Sequence, residues 1–439
     1  MSGIDFDSRI SYEPYHIYYD INVFNNDTTG TRRPPYLQFS EVRNTPYLAN
    51  PSDYFASVVR FSVETPTLPV IIPQPAVNGA SVNELIYVVS MNHPALIAPF
   101  SFPVQYVPQS NSALKTPPTS ISTVEDVINE YYYTFTYKPF IDMVNTALRA
   151  CWVAIRAAFA AIGSPLNAIY DDDSFPYLWW DEEKNIATWV APAQLFQTPS
   201  ANNQNPDHTL GGLPVVAGTI SPISIFFNTP LFNLFSSFSA FQNGYEGVSP
   251  LNWRMLLPDT VTINPYQASV FTNNPSAAAA SMPTFPTKQA AAFLPTQPNL
   301  RSLLRVSQEY PTTPLWNPVQ SIVFTTSLLP IAPSIVSTPV LFGAGTAFST
   351  AGNNSGIANI LTDLEVPLEK GWENKPSINY VPTAEYRLFD LNGNAPLNAI
   401  EISVNWKDNF GRLNPIRLGS GCSASIKIMF RRKDFQGVV

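Results

Sequence analysis

Three histidines are the residues best suited to chemistry near neutral pH, because histidine serves as a general base, a proton shuttle or a metal ligand. They are His16, His93 and His208. None of them has a cysteine, aspartate or glutamate at the spacing of a metal site. No Gly-x-Ser-x-Gly turn indicates a serine nucleophile, although a Ser-His-Asp triad is recognised by geometry and stays open. The sequence therefore favours no catalytic histidine.

Two acidic clusters stand on either side of an aromatic run. One is Asp-Asp-Asp at 171–173 and the other is Asp-Glu-Glu at 181–183. Calcium takes oxygen ligands of this kind from loops, and a pair of carboxylates could also hydrolyse a glycosidic bond. Two solvated turns around an aromatic strand explain the same residues, and we favour that interpretation. We predict no catalytic, metal-binding or cofactor-binding residue, and no cofactor.

The remaining reactive groups are few. Cys151 and Cys422 are the two cysteines, too few for a disulfide framework, and we predict that both are buried free thiols. Residues 343–352 are rich in glycine but lack the Gly-Lys-Ser/Thr ending of a phosphate-binding loop. The basic triplet at 431–433 is predicted to be a solvated chain end rather than a phosphate site.

The composition is unusual for a solitary soluble protein. Charged residues make up 13% of the 439 residues, about half of the usual ~25%. The 43 prolines are about twice the average share, and proline concentrates in sheet edges, turns and extended arms. A weakly charged surface does little to keep molecules apart, whereas an assembling subunit buries such a surface. A β-rich monomer with long loops is the alternative.

Charge and hydropathy also bear on the partners. The net charge of −8 argues against a strongly basic face for nucleic acid, so we predict no strong direct nucleic-acid binding. No apolar run reaches the roughly 18–20 residues of a membrane span, and the first residues lack the pattern of a signal peptide. We therefore expect synthesis in a reducing cytoplasm and no membrane span.

Several short segments are typical of β-strands, because β-branched and aromatic residues are bounded there by Pro, Asn or Gly. These segments are 53–65, 85–90, 104–107, 223–228, 320–327, 400–406 and 426–431. In the last two, apolar and polar residues alternate as in a half-buried strand. Residues 175–191 are predicted to form a hairpin whose turn carries the second acidic cluster.

One strong helix is predicted at 122–162. Ser122 and Glu125 have the spacing of a capping box, and Pro139 is expected to restart or kink the helix. After Pro139, apolar residues recur at steps of three and four, which predicts an amphipathic helix of about 24 residues with Cys151 on its apolar face. Gly163 is expected to end it.

The pattern of elements suggests four regions. Residues 1–50 are predicted to be an extended N-terminal arm, because the tyrosines and prolines that alternate there need the protein body or a partner to dock on. Residues 51–121 would begin a β-sandwich body, residues 122–300 would form a helix-containing insertion with a hairpin and loops, and residues 301–439 would complete the sandwich.

Three parts of the chain resemble capsid or penton-type proteins of eukaryotic viruses. They are 50–63 with 68–73; 316–331; and 380–391, continuing through 402–408 to 425–433. The helix at 139–162 with the strand at 186–190 is similar to the matching part of adenovirus-like penton bases. The resemblance implies jelly-roll sandwiches, cyclic assembly and arms that clasp neighbours. The chain has no Arg-Gly-Asp loop, so a host receptor stays an open partner.

We therefore predict a mainly β fold: an antiparallel jelly-roll-like sandwich with one long amphipathic helix and an extended N-terminal arm. The expected function is that of a virion structural protein, a capsid or penton subunit without catalysis. It would assemble with copies of itself and other capsid proteins into an icosahedral shell. Two alternatives are a receptor-binding spike or fibre and a carbohydrate-binding or carbohydrate-active β-protein.

Overall fold

The structure is a computed structural model, and it describes most of the chain. The described residues are 14–27, 34–64, 68–93, 96–109, 116–122, 124–127, 129–163, 175–192, 223–242, 251–255, 268–272, 302–336, 341–343, 346–348, 356–365, 377–381, 387–409 and 411–433. Two compact units divide the chain. The first combines residues 1–69 with 318–439, and the second is residues 70–317.

The described residues form twenty-three strands and three α-helices. The strands are β1 His16–Phe24, β2 Gln38–Val42, β3 Tyr54–Glu64, β4 Glu84–Asn92, β5 Phe100–Gln105, β6 Tyr177–Asp181, β7 Ile186–Pro192, β8 Ser224–Phe227, β9 Ala240–Gln242, β10 Trp253–Met255, β11 Ala268–Thr272, β12 Ser302–Ser307, β13 Val319–Thr325, β14 Ser334–Val336, β15 Leu341–Gly343, β16 Thr346–Phe348, β17 Gly356–Ala358, β18 Ile360–Glu365, β19 Ser377–Tyr380, β20 Phe389–Asp390, β21 Ala399–Asp408, β22 Leu413–Pro415 and β23 Ser423–Arg432. The helices are α1 Val124–Val127, α2 Tyr137–Ala161 and α3 Thr229–Leu234.

The first unit is a jelly roll. One antiparallel sheet has the order β1-β23-β3-β19, with β20 also on β3. The other has the order β18-β13-β21-β2, with β22 also on β21. Eight main strands in two four-stranded sheets with this interleaved order make two Greek keys. The sequence of the second unit enters between β3 and β13. The prediction of a mainly β, antiparallel jelly-roll sandwich is confirmed.

The core of the first unit is built by residues that alternate along its strands. Ile402 and Val404 of β21 are buried, as are Ile426 and Ile428 of β23. The ring of Phe61, on one sheet, meets the ring of Phe324, on the other, edge to face at 4.9 Å. Each fully buried side chain of this size contributes roughly 1.5–3 kcal/mol, so the apolar faces hold the two sheets together.

The predicted N-terminal arm is largely part of the sandwich. Within 14–27, β1 pairs along its whole length with β23, and within 34–50, β2 pairs with β21. Ile21 and Phe39 are the buried anchors of these strands. The described part of the arm therefore lies on the body of the protein, one of the two placements expected from the sequence. The predictions for residues 1–13 concern residues that the structure does not describe.

The second unit combines two sheets with the long helix. Its sheets have the orders β5-β4-β8-β10-β9 and β11-β12-β7-β6. The ring of Trp316 is the centre of an aromatic cluster, with ring centroids 5.1–5.6 Å from those of Tyr137, Phe140, Trp180 and Phe235. Residues far apart in sequence thus share one core around α2.

The helix predicted over 122–162 is three separate pieces. α1 has four residues, a short 3-10 helix at Glu130–Tyr132 follows, and α2 begins at Tyr137. The break has a physical cause: Thr134 is extended and exchanges backbone hydrogen bonds with Val70 and Ile71 at 2.9–3.3 Å. Pro139 then lies in the first turn of α2, where its missing N–H leaves no hydrogen bond unmade. The amphipathic helix itself is confirmed.

The predicted capping box also takes a different form. The backbone N–H of Ser122 donates to Oδ2 of Asp126 at 3.0 Å. The reciprocal partner is therefore one residue later than the predicted Glu125, because α1 begins at Val124 and Asp126 is its third residue. The side chain of Glu125 is outside the described residues.

The two compact units differ from the four predicted regions at residues 70–121 and 301–317. β4 and β5 pack on α2, so they belong with the helix rather than with the jelly roll. β12 pairs with β7 and joins the same unit. The four-region division remains a prediction about domains.

Asn145 on α2 closes the free edge of β6. Its Nδ2 donates to the carbonyl of Leu178 at 2.9 Å, and its Oδ1 accepts from the N–H of Leu178 at 2.8 Å. Asn145 is buried, and no described strand pairs with β6 on that side, so this amide takes the place of one. Without it, two buried backbone groups would lose their partners.

We expect Asn145→Ala to lower the free energy of unfolding by roughly 2–4 kcal/mol, because each orphaned buried group costs about 1–3 kcal/mol. The matched control is Thr146→Ala, an exposed position on the next residue of the same helix, with an expected change within about 0.5 kcal/mol. Urea denaturation of both variants measures the difference. Equal stabilities would show that Asn145 does not close the edge.

Glu401 on β21 is a buried carboxylate, although alternation along the strand predicted a solvent-facing side chain. Its Oε1 accepts from Gln38 Nε2 at 2.8 Å and from Ser403 Oγ at 2.6 Å. Its Oε2 accepts from the N–H and the Oγ of Ser327 at 2.7 and 2.8 Å. Burial raises the pKa of Glu401, but these hydrogen bonds outweigh it and hold the pKa below its ordinary value.

When folding lowers the pKa of a carboxylate, the carboxylate stabilises the folded state at a pH above its pKa in the unfolded chain. This stabilisation is lost as the pH falls through the pKa of the folded state. We expect Glu401→Gln to cost roughly 1–3 kcal/mol at neutral pH, because the amide cannot accept all four bonds. The difference in the free energy of unfolding between the variant and the wild type should shrink as the pH falls below 4.5, the ordinary pKa of a glutamate. Urea denaturation at several pH values tests this, with exposed Glu365→Gln as the control. A constant difference at all pH values would contradict it.

Candidate assembly surface

The two described histidines are packed against aromatic rings. His93 is buried, and its ring meets that of Phe159 of α2 edge to face at 4.9 Å. His16 of β1 stacks on the ring of Tyr18 at 6.4 Å. His208 lies outside the described residues. These contacts give each described histidine a structural partner.

The acidic cluster at 181–183 forms a hairpin turn, as predicted. β6 and β7 pair from Tyr177 to Asp181, and Asn185 adopts a left-handed conformation with φ 53°. The Oδ1 of Asp181 accepts from the N–H groups of Glu183 and Lys184 at 3.0 and 3.1 Å. The carboxylate of Asp181 therefore stabilises the turn. The cluster at 171–173 lies outside the described residues.

The other chemical candidates also have packing roles. Cys151 is buried and Cys422 is half-buried, and both thiols are free. Burial raises the pKa of the Cys151 thiol to about 12, so it stays protonated. Of the glycine-rich stretch, 343 and 346–348 are described and belong to the small hairpin of β15 and β16.

The basic triplet at 431–433, predicted to be a solvated chain end, is partly solvated: Arg431 and Arg432 are half-buried and Lys433 is exposed. Arg431 and Arg432 complete β23, which runs beside β1. The Nζ of Lys433 lies 3.0 Å from Oδ1 of Asp390, and the guanidinium of Arg432 lies 5.9 Å above the ring of Tyr15. The strand reaches Arg432 because β1 and β3 run beside it this far, and Lys433 follows the strand.

Neither metal binding nor membrane crossing has support in the described part of the chain. No group of three or more His, Cys, Asp or Glu side chains within it could hold a metal ion. Among the helices that the structure describes, none is long and apolar enough to cross a membrane.

The outer face of the sheet β1-β23-β3-β19 carries a small ion-pair network. Asp20 of β1 accepts two hydrogen bonds from the guanidinium of Arg60 at 2.7 and 2.8 Å. The Nζ of Lys427 lies 3.8 Å from the same carboxylate. At the end of this face, Ser423 donates to Glu64 from its N–H and Oγ, and these bonds lower the pKa of Glu64.

Other cations of the first unit lie over aromatic rings. The guanidinium of Arg417 is 4.3 Å from the centroid of Tyr36, and Lys427 Nζ is 5.5 Å from that of Tyr18. Arg43 lies 4.9 Å from the ring of Tyr19 and 4.8 Å from that of Tyr47. The neutral rings fix the positions of these cations on the surface of the first unit and leave their positive charge.

Large apolar side chains are exposed on both units. In the first unit they are Tyr15, Tyr18, Phe24, Tyr36, Val42, Leu328, Val381 and Leu388. In the second unit they are Val77, Ile97, Val107, Val153, Ile162, Phe241, Tyr310 and Leu315. Those of the first unit concentrate on β1, β2 and the residues beside them. Sequence reasoning placed aromatics on an arm here but did not identify which faces they occupy.

The second unit has an open apolar groove along α2. The helix contributes Arg149, Val153, Ala154 and Ala157, and β5 contributes Phe102. Its volume is about 490 Å³. The side chains along the groove offer an apolar surface and a single guanidinium, without the convergent polar groups of a small-molecule site.

Comparison with known proteins identifies the relatives of this chain. A family model described as Sputnik minor capsid protein V18/19 matches residues 17–432. The uncharacterised protein V18 of Sputnik virophage is 35% identical over 160 residues, covering 36% of this chain and 89% of V18. The structural protein V19 of Sputnik virophage is 27% identical over 216 residues, covering 48% of this chain and 83% of V19.

Two solved structures share the fold. A chain of the cryo-EM structure of Sputnik virophage matches with a TM-score of 0.67 and 26% identity, over 96% of this chain and 99% of that one. The crystal structure of mavirus penton protein matches with a TM-score of 0.53 and 13% identity, over 95% of this chain and 99% of that one, which shows the fold alone. The expected resemblance to capsid proteins is confirmed, and so are the capsid function and the location in the virion. The chain belongs to the Sputnik minor capsid protein V18/19 family.

Proposed function

We propose that this chain is a penton-type subunit that forms a closed ring with copies of itself and joins other capsid proteins in an icosahedral shell. The observation that carries the proposal is the strand order of the first unit, with the second unit inserted between β3 and β13. The same arrangement extends over nearly the whole of a Sputnik virophage chain and of mavirus penton protein.

A ring explains the exposed apolar surface. Closed cyclic symmetry repeats one contact and stops when the ring is complete, so it limits assembly without a further factor. Tyr18, Phe24 and Val42 are 54–74% exposed in the single chain. Covering such side chains contributes about 25 cal/mol per Å² of apolar surface, and an interface of about 1,600 Å² is enough for a stable contact.

The proposed subunit performs no catalysis. The matching family is described as a minor capsid protein and V19 as a structural protein, and the chemical candidates among the described residues have structural partners. Asp181 accepts the hydrogen bonds of a turn, and His93 packs on a helix. The thiol of Cys151 is protonated at neutral pH and is therefore a poor nucleophile.

Protein surfaces, rather than nucleic acid, are the proposed partners. The net charge of −8 repels a phosphate backbone, and several cations of the first unit contact Asp20 or tyrosine rings.

The jelly roll supplies the contacts between copies in this proposal. The inserted second unit, with its groove along α2, would be the surface for other partners.

The mass of the purified chain tests the proposal. Light scattering after size-exclusion chromatography should give a mass close to five times the 48.5 kDa of one chain. Negative-stain microscopy should show rings with fivefold symmetry. A protein that stays at the mass of one chain at every concentration would overturn the proposal.

Salt should not dissociate the ring. Raising sodium chloride from about 0.1 M to about 1 M shortens the screening length from ~10 Å to ~3 Å, which weakens exposed ion pairs but not apolar contacts. Because 13% of the residues are charged, we expect the mass to stay constant over this range. The same light-scattering measurement checks it. Dissociation at high salt would show that ion pairs hold the copies together.

A further inference from the structure

One exposed aromatic ring of the first unit differs from the others. In the described part of this unit, four aromatic side chains are more than half exposed: Tyr15, Tyr18, Phe24 and Tyr36. A cation of the same chain lies over each of the three tyrosine rings, 4.3–5.9 Å from the ring centroid. Among the described residues, none places a cation over the ring of Phe24. The face of this ring is therefore open to a cation from outside the chain.

The carboxylate of Glu64 has no cationic partner among the described residues. Its Oε1 accepts from the N–H and the Oγ of Ser423 at 3.0 and 2.9 Å. These neutral donors lower the pKa of Glu64, so its carboxylate is charged at neutral pH. Arg60 and Lys427, on the same face of the sheet, are held by Asp20 instead. The hydrogen bonds thus fix the carboxylate in place without neutralising it.

A recess of about 280 Å³ has Phe24 and Glu64 in its walls. These two residues belong to β1 and β3, and β23 runs between the two strands. Because neighbouring strands lie ~4.8 Å apart, the backbones of β1 and β3 are separated by roughly 10 Å. The register places Phe24 opposite Ser423, which in turn bonds to Glu64, so the ring and the carboxylate stand at the two ends of one row. Small polar side chains also line the recess: Asn22, Ser62, Ser423 and Ser425.

The recess offers hydrogen-bond acceptors that the chain leaves unused. In the part of the chain that the structure describes, the side chains of Asn22 and Ser425 make no hydrogen bond. They are neighbours, because Asn22 pairs with Ser425 in the register of β1 and β23. A guanidinium is planar, stacks on aromatic faces and has five N–H donors, whereas an ammonium is a compact charge with three. A ring, a carboxylate and two unused oxygens therefore suit the guanidinium better.

A metal ion fits the same acceptors less well. Calcium takes about six to eight oxygen ligands, several of them from carboxylates. Glu64 is the single carboxylate that lines the recess. Within the described ranges, no group of three or more His, Cys, Asp or Glu side chains could hold a metal ion. The aromatic ring at the other end of the recess would give a metal ion no ligand.

We propose that this recess binds an arginine side chain of a partner protein, with the guanidinium on the carboxylate of Glu64 and its plane over the ring of Phe24. Arginine is enriched in protein interfaces, and the net charge of −8 favours a partner with basic side chains. A single copy of the chain supplies every wall of the recess. The inference therefore does not depend on the proposed ring of copies.

Calorimetric titration of the full-length protein with acetyl-arginine amide tests the recess, because this compound carries the side chain without terminal charges. We expect a dissociation constant in the millimolar range, since exposed cation–π contacts and ion pairs are individually weak. Acetyl-citrulline amide has nearly the same shape without the charge, and it should not bind measurably. No binding of the arginine compound, or equal affinities for the two, would overturn the inference. Tighter binding of free arginine would assign the recess to a small molecule and would also overturn it.

Two variants locate the binding. Glu64→Gln keeps an oxygen that accepts from Ser423 but removes the charge, so it should bind acetyl-arginine amide roughly fivefold more weakly or worse. Phe24→Leu keeps an apolar side chain but removes the ring, and it should weaken binding roughly two- to fivefold. The matched controls are Glu365→Gln and Tyr36→Leu, an exposed carboxylate and an exposed ring outside the recess, which should bind like the wild type. Circular dichroism confirms that each variant is folded.

The variants also separate this inference from the proposed function. If Glu64→Gln is folded and binds like the wild type, the recess does not hold the guanidinium and the inference is wrong. An equal loss of affinity in Glu365→Gln would place the binding elsewhere and would overturn the inference as well. Neither result changes the mass of the assembled protein, on which the proposed ring is tested.

Discussion

The position of β23 between β1 and β3 is the constraint on which the rest of the structure depends. It joins residues near the two ends of the sequence in one sheet, and its apolar side chains face the second sheet. The insertion of a whole unit between β3 and β13 is compatible with this pairing. The entropy cost of closing a loop grows only with the logarithm of its length, so a long insertion costs little more than a short one. The jelly roll thus tolerates the second unit because its sheets are fixed by contacts elsewhere.

The sequence predicted the elements better than their arrangement. Alternation identified β21 and β23, and the charged turn at 181–183 identified the hairpin of β6 and β7. Strand order could not be predicted, because it depends on pairings between distant segments such as β1 with β23. The break before α2 was missed for the same reason: Thr134 leaves the helix to bond with Ile71, a residue in the connection between β3 and β4. Glu401 looked solvent-exposed because its hydrogen-bond donors, Ser327 and Gln38, come from other parts of the chain.

The candidate surface was predictable in kind but not in detail. Low charge and many aromatics indicated assembly, and the family comparison agrees with a capsid protein. The sequence could not show that several cations of the jelly roll contact a carboxylate or an aromatic ring of the same chain. Arg60 bonds to Asp20, and Arg43 lies over the rings of Tyr19 and Tyr47. The pair of Arg60 and Asp20 carries no net charge, so it adds little to the repulsion between copies.

The place of β23 in the sheet has a consequence for synthesis. Of the strands that the structure describes, β23 is translated last, yet it occupies an inner position beside β1 and β3. The second unit, encoded in the middle, can fold while the ribosome is still at work, because its strands pair among themselves. The jelly roll cannot close until β23 has left the ribosome. A chain without β23 would leave β1 without its inner neighbour, so the sheet that joins β1 to β3 could not form.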